Sequence, residues 1–405
     1  MARDLRLFYL FRLLSTSYLF VPIELAYATS RGLSFTQAMF LSTIYSLVVI
    51  LTELPTGVLA DRIGRRAAMM AGALAMVAAC AVFTVAKGFP TFAVGSALSA
   101  LSMTLCSGAD SAYLFDLLND NGQGHEYPRR EGTASAWHQA GQALAFAAGG
   151  LLAARDLALP YIVTGGVATL AFLVAVFMRE GRASGTRPNV SVREYVHLMR
   201  EALTTVGTRD RLIWAIAYSA VVFALLRATI YILQPYLASA GFGMAQAGFI
   251  FAAMYLAATA VSHRADALRR RFAEPTLLWL LLGTLVVTFL LLGGSVGPWS
   301  LAVLVVQAGA NGLYSPLVKP LLNREIDDSG RRATVLSVES MVRRAALGIF
   351  SPLVGTLMER YGASAGLLSC GLVGAIGLAI LVVTFRAPTV PAVGTPEEPK
   401  ARKAA

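Results

Sequence analysis

Long apolar stretches alternate with short charged connections along most of this chain. A helix that crosses a membrane needs about 20 mostly apolar residues, and glycine, proline and charged residues divide the sequence into stretches of that length. We find twelve such stretches. The first six run approximately over 7–28, 36–59, 67–87, 91–118, 131–154 and 158–178, and the second six over 212–238, 243–262, 275–293, 298–322, 331–358 and 362–385.

These stretches are expected to be helices. Backbone polar groups in a bilayer must be satisfied within the segment, and the alternation that is typical of a barrel strand is not visible. Composition agrees, because 56% of the 405 residues are hydrophobic and 14% are charged, with a mean hydropathy of +0.63. Such values are unusual for a water-soluble domain. The pattern therefore predicts an all-α integral membrane protein with twelve transmembrane helices.

Two polar segments lie outside the predicted spans. The segment 179–211 separates the two groups of six, and its apolar residues recur at helical spacing. This is typical of an amphipathic helix on the inner membrane surface, although a plain tether fits equally well. The segment 387–405 is rich in proline and charge, which predicts a disordered cytoplasmic tail. The two domains are accordingly an N-terminal six-helix bundle over 1–178 and a C-terminal one over 212–386.

The net charge of +11 is distributed as topology signals. Basic residues form short clusters between apolar runs, which mark the cytoplasmic ends of membrane helices and differ from the basic face that would bind nucleic acid. With both termini in the cytoplasm, the outer loops carry four basic residues, Arg31, Lys87, Arg155 and Arg360. We therefore predict a multi-pass protein of the cell inner (plasma) membrane, with lipid around it and no nucleic-acid partner.

The most strongly charged short connection runs from Gly57 to Arg66. It reads Gly-Val-Leu-Ala-Asp-Arg-Ile-Gly-Arg-Arg, which predicts a tight turn, because its two glycines permit close backbone approach. A degraded copy lies 205 residues later. That offset aligns Ala60, Asp61, Arg65 and Arg66 with Ala265, Asp266, Arg270 and Arg271, and it also aligns Gly150 with Gly355. The shared offset favours an internal duplication of a six-span unit.

On this motif the chain resembles the major facilitator superfamily over essentially its whole length. The resemblance implies two pseudo-symmetric six-helix bundles that exchange inward-open and outward-open states around a central cavity. It also implies that Asp61 contacts the start of the eleventh span, near Arg331 and Arg332, and holds the cytoplasmic side closed. The residues that we assign to this gating motif are Gly57, Asp61, Arg62, Gly64, Arg65 and Arg66.

Two further patterns are similar to drug-efflux members of that superfamily. In the fifth span, small residues occupy the places of an exporter pattern whose Gly-Pro centre is missing, namely Gly141, Ala145, Phe146, Gly149 and Gly150. A packing face and an antiporter signature explain them equally well. In the fourth span, the stretch 107–116 is similar to a drug-efflux branch. The arginine usual in that span is absent, and Asp110 and Asp116 are present instead.

Charges inside the spans are expected to mark the functional site. A charge at mid-membrane costs at least about 2.5 to 3.5 kcal/mol on insertion scales and must be paired or hydrated. The third, sixth, ninth and twelfth spans carry no charged residue inside their ends, where Lys87 closes the third span at the outer loop, as expected for helices that face lipid. The candidates for a proton or substrate cavity on the other spans are Arg12, Glu24, Asp110, His138, Arg227, Asn311, Glu339 and Arg343.

Depth along the helices distinguishes some of these candidates. Arg12 and Asp110 both lie in the inner parts of their spans, so an ion pair between them competes with snorkelling of Arg12 to the headgroups. Arg227 is near the middle of the seventh span and is the strongest single candidate for a cavity charge. Glu339 and Arg343 are four residues apart on one helix and can pair with each other.

The other three candidates each keep two interpretations. Glu24, two residues after a proline, either binds a proton or a cationic substrate or is a solvated residue at the cavity mouth. His138 either titrates near physiological pH or is a satisfied core residue. Asn311 offers a neutral donor and acceptor to a substrate, or packs within its bundle.

Enzyme chemistry finds no support in the sequence. There is no phosphate-binding Gly-Lys-Ser/Thr turn, no zinc-ligand spacing and no nucleophile-base arrangement, so neither a cofactor nor a metal is expected. The sequence predicts a monomeric secondary active transporter, most simply an antiporter for multidrug-type efflux of an amphiphilic drug or natural product against protons. The alternatives are an importer of a sugar, an organic acid or a peptide, and a non-transporting receptor or assembly factor with the same fold.

Overall fold

Twelve helical segments cross the molecule from side to side in the computed structural model, which describes residues 1–180, 200, 204, 206–294, 297, 299–326 and 332–385. The first six spans are Ala2–Leu14 with Glu24–Ser30, Phe35–Ile63, Arg65–Val85, Phe89–Cys106 with Ala109–Asn119, Tyr127–Ala153, and Leu159–Phe177. The second six are Asp210–Ser239, Met244–Arg271, Glu274–Gly294, Ser300–Arg324, Arg332–Tyr361 and Ala363–Thr384. We call the side where the chain begins the basic side and the other the opposite side.

Ten of the twelve segments are long and apolar enough to cross a membrane by length and composition alone. The first span fails that criterion because its helix is broken, and the fifth because its first turns are polar. The break in the first span and the polar turns of the fifth both lie near intramembrane charges. A bilayer tolerates such charges and unpaired backbone groups only when the protein itself or water satisfies them. The all-α fold with twelve spans is therefore as predicted.

The helices form two bundles that repeat the same neighbour pattern. In the N-terminal bundle, span 3 packs on span 6, span 2 on span 4, and span 1 on span 5. In the C-terminal bundle, the corresponding packing pairs are spans 9 and 12, 8 and 10, and 7 and 11. The bundles meet where span 2 packs along span 11 and span 5 along span 8. A shift of six spans exchanges these two interface pairs, so the architecture has the pseudo-symmetry that duplication implies.

The first span is broken between Leu14 and Glu24, where the sequence predicts a continuous helix. The hydroxyls of Thr16 and Ser17 donate to the carbonyl oxygens four residues earlier, at 2.8 and 2.6 Å, and such bonds compete with helical ones. Pro22 then removes a backbone donor. The fourth span is broken in a similar way at Gly108, whose φ of 80° is accessible mainly to glycine. The predicted continuous spans 7–28 and 91–118 are thus corrected.

The segment from Gly57 to Arg66 is mostly helix, not the tight turn that the sequence predicts. The second span continues to Ile63 and the third begins at Arg65, so the connection is reduced to Gly64 alone, with φ of 98°. Because glycine supplies that backbone conformation, one residue suffices to reverse the chain.

Aromatic clusters make each bundle rigid on one side. Tyr161 stacks on Phe20 with ring centroids 4.8 Å apart in the N-terminal bundle. In the C-terminal bundle, Trp214 contacts Trp279 and Phe385 at 5.7 and 5.1 Å. Pairs of this kind stabilise by about 0.5–1.5 kcal/mol beyond area burial.

The predicted amphipathic helix within 179–211 lies largely outside the described residues, and the predicted tail 387–405 lies entirely outside them.

Candidate functional site

The two bundles are joined at the opposite side of the molecule. Thr36 on the second span donates from Oγ1 to Glu359 Oε2 at 2.6 Å, and Thr43 donates to the carbonyl oxygen of Gly348 at 2.6 Å. Spans 5 and 8 cross so closely that a Cβ atom added to Gly150 would lie 2.6 Å from the Cα of Gly248. Hydrogen bonds and backbone contact therefore close this side.

Gln234 adds a further bond set to this closure. It is 6% exposed and lies on the seventh span, opposite the break in the first. Its Oε1 accepts from the backbone N–H groups of Leu25 and Ala26 at 2.9 and 3.2 Å, and its Nε2 donates to the carbonyl oxygen of Val21 at 3.0 Å. A helix start leaves such N–H groups unpaired. The side chain of one bundle thus caps a helix of the other.

All cross-bundle hydrogen bonds between described residues lie in this half of the molecule. At mid-depth, between the bundles, Arg227 is exposed although its helical neighbours Ala228 and Leu225 are buried. An exposed arginine in the middle of a membrane helix requires water or a polar ligand. The bundles therefore enclose a polar cavity, which lies between the closed opposite side and the basic side.

Two arginine side chains in this cavity pack against the ring of Phe223. The guanidinium carbon of Arg227 lies 5.5 Å from its ring centroid, and that of Arg343 lies 4.8 Å from it. Cation–π attraction at such distances is worth about 0.5–2 kcal/mol. Spans 7 and 11 thereby bring two cations to one aromatic ring.

Arg343 also has a carboxylate partner. Its Nε lies 3.6 Å from Glu339 Oε1, one helical turn away. Glu339 is 6% exposed, and its carboxylate accepts a short hydrogen bond from Ser219, whose Oγ is also 3.0 Å from the hydroxyl of Tyr314. The predicted pair of Glu339 and Arg343 is present in the structure, and a polar network fixes its acid.

A second cluster lies inside the N-terminal bundle, where Arg12 contacts two carboxylates. Arg12 pairs with Asp110 through Nη1, so the predicted ion pair is present. Its Nη2 lies 3.7 Å from Glu131 Oε1, and the hydroxyl of Ser111 donates to the same oxygen at 3.3 Å. The Arg12, Asp110 and Glu131 side chains are 12%, 15% and 25% exposed. One guanidinium is thus shared by two acids in a nearly closed site.

The arginines next to this cluster are committed elsewhere. Arg129 and Arg130 donate to Glu126 Oε2 at 2.7 and 2.8 Å. The hydrogen bond from Arg129, together with that from Arg130, holds the pKa of the half-buried Glu126 carboxyl below its usual value. Among the described residues, Arg12 is therefore the cation that serves Glu131.

Three predicted candidates occupy different surroundings. Glu24 is half-buried beside the bundle interface and interacts electrostatically with Arg227. His138 is half-buried on the fifth span, and its buried Nδ1 has no hydrogen-bond partner among the described residues. Asn311 is exposed, on the same helical face as the exposed Ser315 and Lys319. Glu24 therefore acts on Arg227 from beyond ion-pair distance, His138 interacts electrostatically with Arg12, and neither His138 nor Asn311 forms a side-chain hydrogen bond with a described residue.

The sequence comparisons identify the family. The family model of the Major Facilitator Superfamily matches residues 7–346. The chain belongs to this superfamily. A superfamily relative, the uncharacterised MFS-type transporter YxaM of Bacillus subtilis (strain 168), is 22% identical over 377 residues, which cover 91% of each protein. The chain is accordingly a multi-pass membrane transporter that acts on a small molecule in a lipid environment.

Solved structures of superfamily members share the fold. The nucleoside transporter NupG superposes with a TM-score of 0.80 at 12% identity, over 96% of this chain and 99% of that one. The peptide transporter POT in complex with sulfate gives 0.74 at 15% identity, over 94% of each chain. At such identities the likeness concerns the fold of this superfamily member and leaves its substrate open.

The superfamily motif has visible structural partners. Asp61 forms an ion pair with Arg65 across the Gly64 connection. Arg66 donates from Nε and Nη2 to the carbonyl oxygens of Ala175 and Val176 at 3.0 and 2.8 Å, which caps the end of the sixth span. The predicted contact of Asp61 with Arg331 and Arg332 stays a prediction, because Arg331 and the side chain of Arg332 lie outside the part of the chain that the structure describes.

The glycines of the fifth span are packing contacts in this superfamily member. A Cβ atom at Gly141 or Gly149 would collide with the backbone carbonyl oxygens of Leu13 or Leu19 on the first span. Gly150 faces the eighth span instead. These contacts favour the packing interpretation of the small-residue pattern.

Sequence reasoning missed three residues of the site. Glu131 is the first residue of the predicted fifth span, where an acid is typical of the membrane interface and gives no separate signal of a site. Arg344 and Tyr45 lacked any spacing signal, since only the packing of span 2 along span 11 brings them together; they interact electrostatically with each other in the structure.

Proposed function

We propose that this superfamily transporter exports an amphiphilic small molecule in exchange for protons by alternating access. The bundles 1–178 and 212–386 are the two moving bodies, and the protein works as a monomer. The carrying observation is the Arg12 cluster, in which two carboxylates, Asp110 and Glu131, share one guanidinium. Such a site carries one negative charge in excess, and a proton is the smallest cation that removes it.

The direction rests on the distribution of arginine. The basic side carries most of the lysines and arginines, whereas the connections on the opposite side carry Arg31, Lys87, Arg155 and Arg360. Cytoplasmic loops concentrate basic residues, so the basic side faces the cytoplasm in the inner membrane and both termini lie there. The described conformation is then inward-open, ready to collect a substrate from the cytoplasm.

The substrate class rests on the cavity wall. Phe223, Arg227 and Arg343 combine aromatic surface with charge at one place, and Tyr231 and Tyr255 interact electrostatically with Arg227 from spans 7 and 8. An amphiphilic molecule satisfies both kinds of surface, because a few polar groups fix its orientation and apolar groups bind the rest.

Import remains the second candidate, for a sugar, an organic acid or a peptide, since the similar solved structures include transporters of nucleosides and peptides. Accumulation of a compound panel is measured in inverted and in right-side-out vesicles with an imposed pH gradient. Export predicts accumulation in inverted vesicles with an acidic lumen, and collapse of the gradient abolishes it. Accumulation in right-side-out vesicles with an acidic exterior establishes import instead. Absence of accumulation in both overturns the transport of this class of compound.

The proton site is tested by Glu131→Gln. Glu126→Gln is the matched control, because Glu126 is a half-buried acid of the same region that pairs with Arg129 and Arg130 instead of Arg12. Glu131→Gln removes the excess charge and leaves the Arg12–Asp110 pair. We expect it to abolish gradient-driven accumulation and to preserve substrate exchange across the membrane at equal pH. Gradient-driven accumulation at the wild-type rate in Glu131→Gln would exclude this acid as the coupling site.

A further inference from the structure

The central cavity holds three arginines, and two of them have no carboxylate of a described residue within ion-pair distance. Arg227, Arg343 and Arg344 lie on spans 7 and 11, and their charges interact with one another. A cluster of like charges in the middle of a membrane protein is unfavourable unless counter-charges or ligands compensate it. The acids around each arginine therefore decide what the cavity is built to bind.

Arg227 forms no ion pair with any residue that the structure describes. No carboxylate of a described residue lies within 4.0 Å of its guanidinium, and Glu24 acts on it only over a longer distance. Its close neighbour is the ring of Phe223, which attracts a cation without neutralising it. Since Arg227 is exposed to the cavity, its hydrogen-bond donors are available to a ligand.

Arg344 is in the same situation. Its buried Nε has no hydrogen-bond partner within the described part of the chain, and among the described acids Glu53 acts on it only beyond ion-pair distance. Tyr45 on the second span interacts electrostatically with both Arg344 and Arg227. Two incompletely compensated guanidinium groups thus interact with one phenol of the other bundle.

Arg343 differs from these two, because Glu339 neutralises it. Glu339 is fixed by the hydroxyl of Ser219 and is nearly fully buried, so it cannot turn toward Arg227 without losing that bond. The unpaired positive charge of the cavity therefore belongs to Arg227 and Arg344.

We propose that the cavity binds its substrate through an anionic group, a carboxylate or an oxyanion of similar size, held by Arg227 and Arg344. The apolar part of the substrate lies against Phe223 and the tyrosines of spans 2, 7 and 8. This inference rests on the proposed function and adds the sign of the charge on the transported amphiphile. Arginine is suited to this role because its planar fork binds a carboxylate through two parallel hydrogen bonds.

The test compares ligands that differ only in their head group. Full-length protein in a neutral detergent, free of anionic lipid, is titrated with 4-phenylbutyrate, 4-phenylbutyramide and 4-phenylbutylamine, and with the corresponding 2-naphthylacetic series. Each charge-assisted hydrogen bond contributes enough to change the Kd by about 10- to 100-fold. We expect at least one carboxylate to bind about 10- to 100-fold more tightly than its amide, and the amine to bind weakest.

The variants assign the preference to residues. Arg227→Gln and Arg344→Gln should each weaken carboxylate binding by about 10- to 100-fold while the amide binds as before. Arg227→Lys retains the charge and should retain part of the preference. Arg360→Gln, on an exposed arginine at the opposite side, is the matched control and should bind as the wild type does. Thermal unfolding without ligand verifies that each variant folds.

Three outcomes overturn the inference: an amine that binds as tightly as its carboxylate, a panel in which no carboxylate exceeds its amide, or a folded Arg227→Gln with wild-type carboxylate affinity. Binding requires no gradient, so the result is independent of the vesicle experiment. Carboxylate preference without gradient-driven accumulation supports the anion site and overturns the export proposal. Accumulation of amines without carboxylate binding supports the export proposal and overturns the anion site.

Discussion

The crossing of spans 5 and 8 allows a direct test of alternating access through Gly150→Ala. The added methyl carbon would lie 2.6 Å from Gly248 Cα and 2.7 Å from the carbonyl oxygen of Met244. Carbon atoms pack at about 3.5–4.0 Å, so the two helices must separate by about 1 Å at this point. Because backbone atoms are involved on both sides, rotation of a side chain cannot relieve the collision.

The free-energy cost follows from overpacking, which typically destabilises by about 1–3 kcal/mol. Under the proposed alternating access, it arises only in the conformation that is closed at the opposite side, because the bundles would separate there in the other conformation. A differential cost of about 1–3 kcal/mol changes the ratio of the two populations by about 5- to 150-fold. We therefore expect Gly150→Ala to favour the conformation that is open at the opposite side.

The populations are measured by double electron–electron resonance between spin labels at Arg155 and Ser239, which are exposed on the two bundles at that side. The labels are introduced in a chain whose three native cysteines are replaced. Gly166→Ala is the control, because its Cβ atom would meet nothing within 4 Å. A wild-type distance distribution in Gly150→Ala would refute the reasoning, as would an equal change in Gly166→Ala.

Two other substitutions test the cavity and the motif. Glu24→Gln removes a negative charge that acts on Arg227, so it should tighten binding of an anionic ligand. A unit charge beyond ion-pair distance across a partly hydrated site is worth on the order of 1 kcal/mol, or about 5-fold in Kd, which the titration described above measures. Asp61→Asn removes the acid that pairs with Arg65 and, by the proposed role of the motif, should reduce turnover in vesicles by more than it weakens substrate binding.

Each of these has an outcome that contradicts it. Weaker anion binding in Glu24→Gln would mean that the acid itself contacts the ligand, and would argue for a cationic group on the substrate. Wild-type turnover in Asp61→Asn, with normal insertion into the membrane, would exclude a role of this acid in the conformational cycle. Asp266→Asn, on the degraded copy of the motif, is the control for a general loss of negative charge at this side.

The positions of the spans could be predicted from the sequence because hydropathy and helix length are properties of each segment alone. The breaks could not. The broken first span depends on hydroxyl groups that bond to the preceding turn and on Gln234, which belongs to the other bundle and caps the restarted helix. A contact across about 210 residues of sequence leaves no periodic trace in either segment.

The candidate site divides in the same way. Intramembrane charge alone singled out Arg12, Asp110 and Arg227, because a charge there is costly and rare. Glu131 and Arg344 were missed because their meaning depends on neighbours from other spans. The pair of Glu339 and Arg343 was predictable from its four-residue spacing on one helix, whereas the bond from Ser219 that fixes the acid was not.

The hydrogen bonds of Gln234 link the movement of the bundles to the entry of water between them at the opposite side. When the bundles separate at the opposite side, the N–H groups of Leu25 and Ala26 and the carbonyl oxygen of Val21 lose their partner together. Bare backbone groups of this kind are too costly to persist in an apolar environment, so water must enter the joint as it opens. In the proposed export cycle, this path is therefore hydrated before the substrate leaves, and a charged head group on the substrate would meet solvent there at the moment of release.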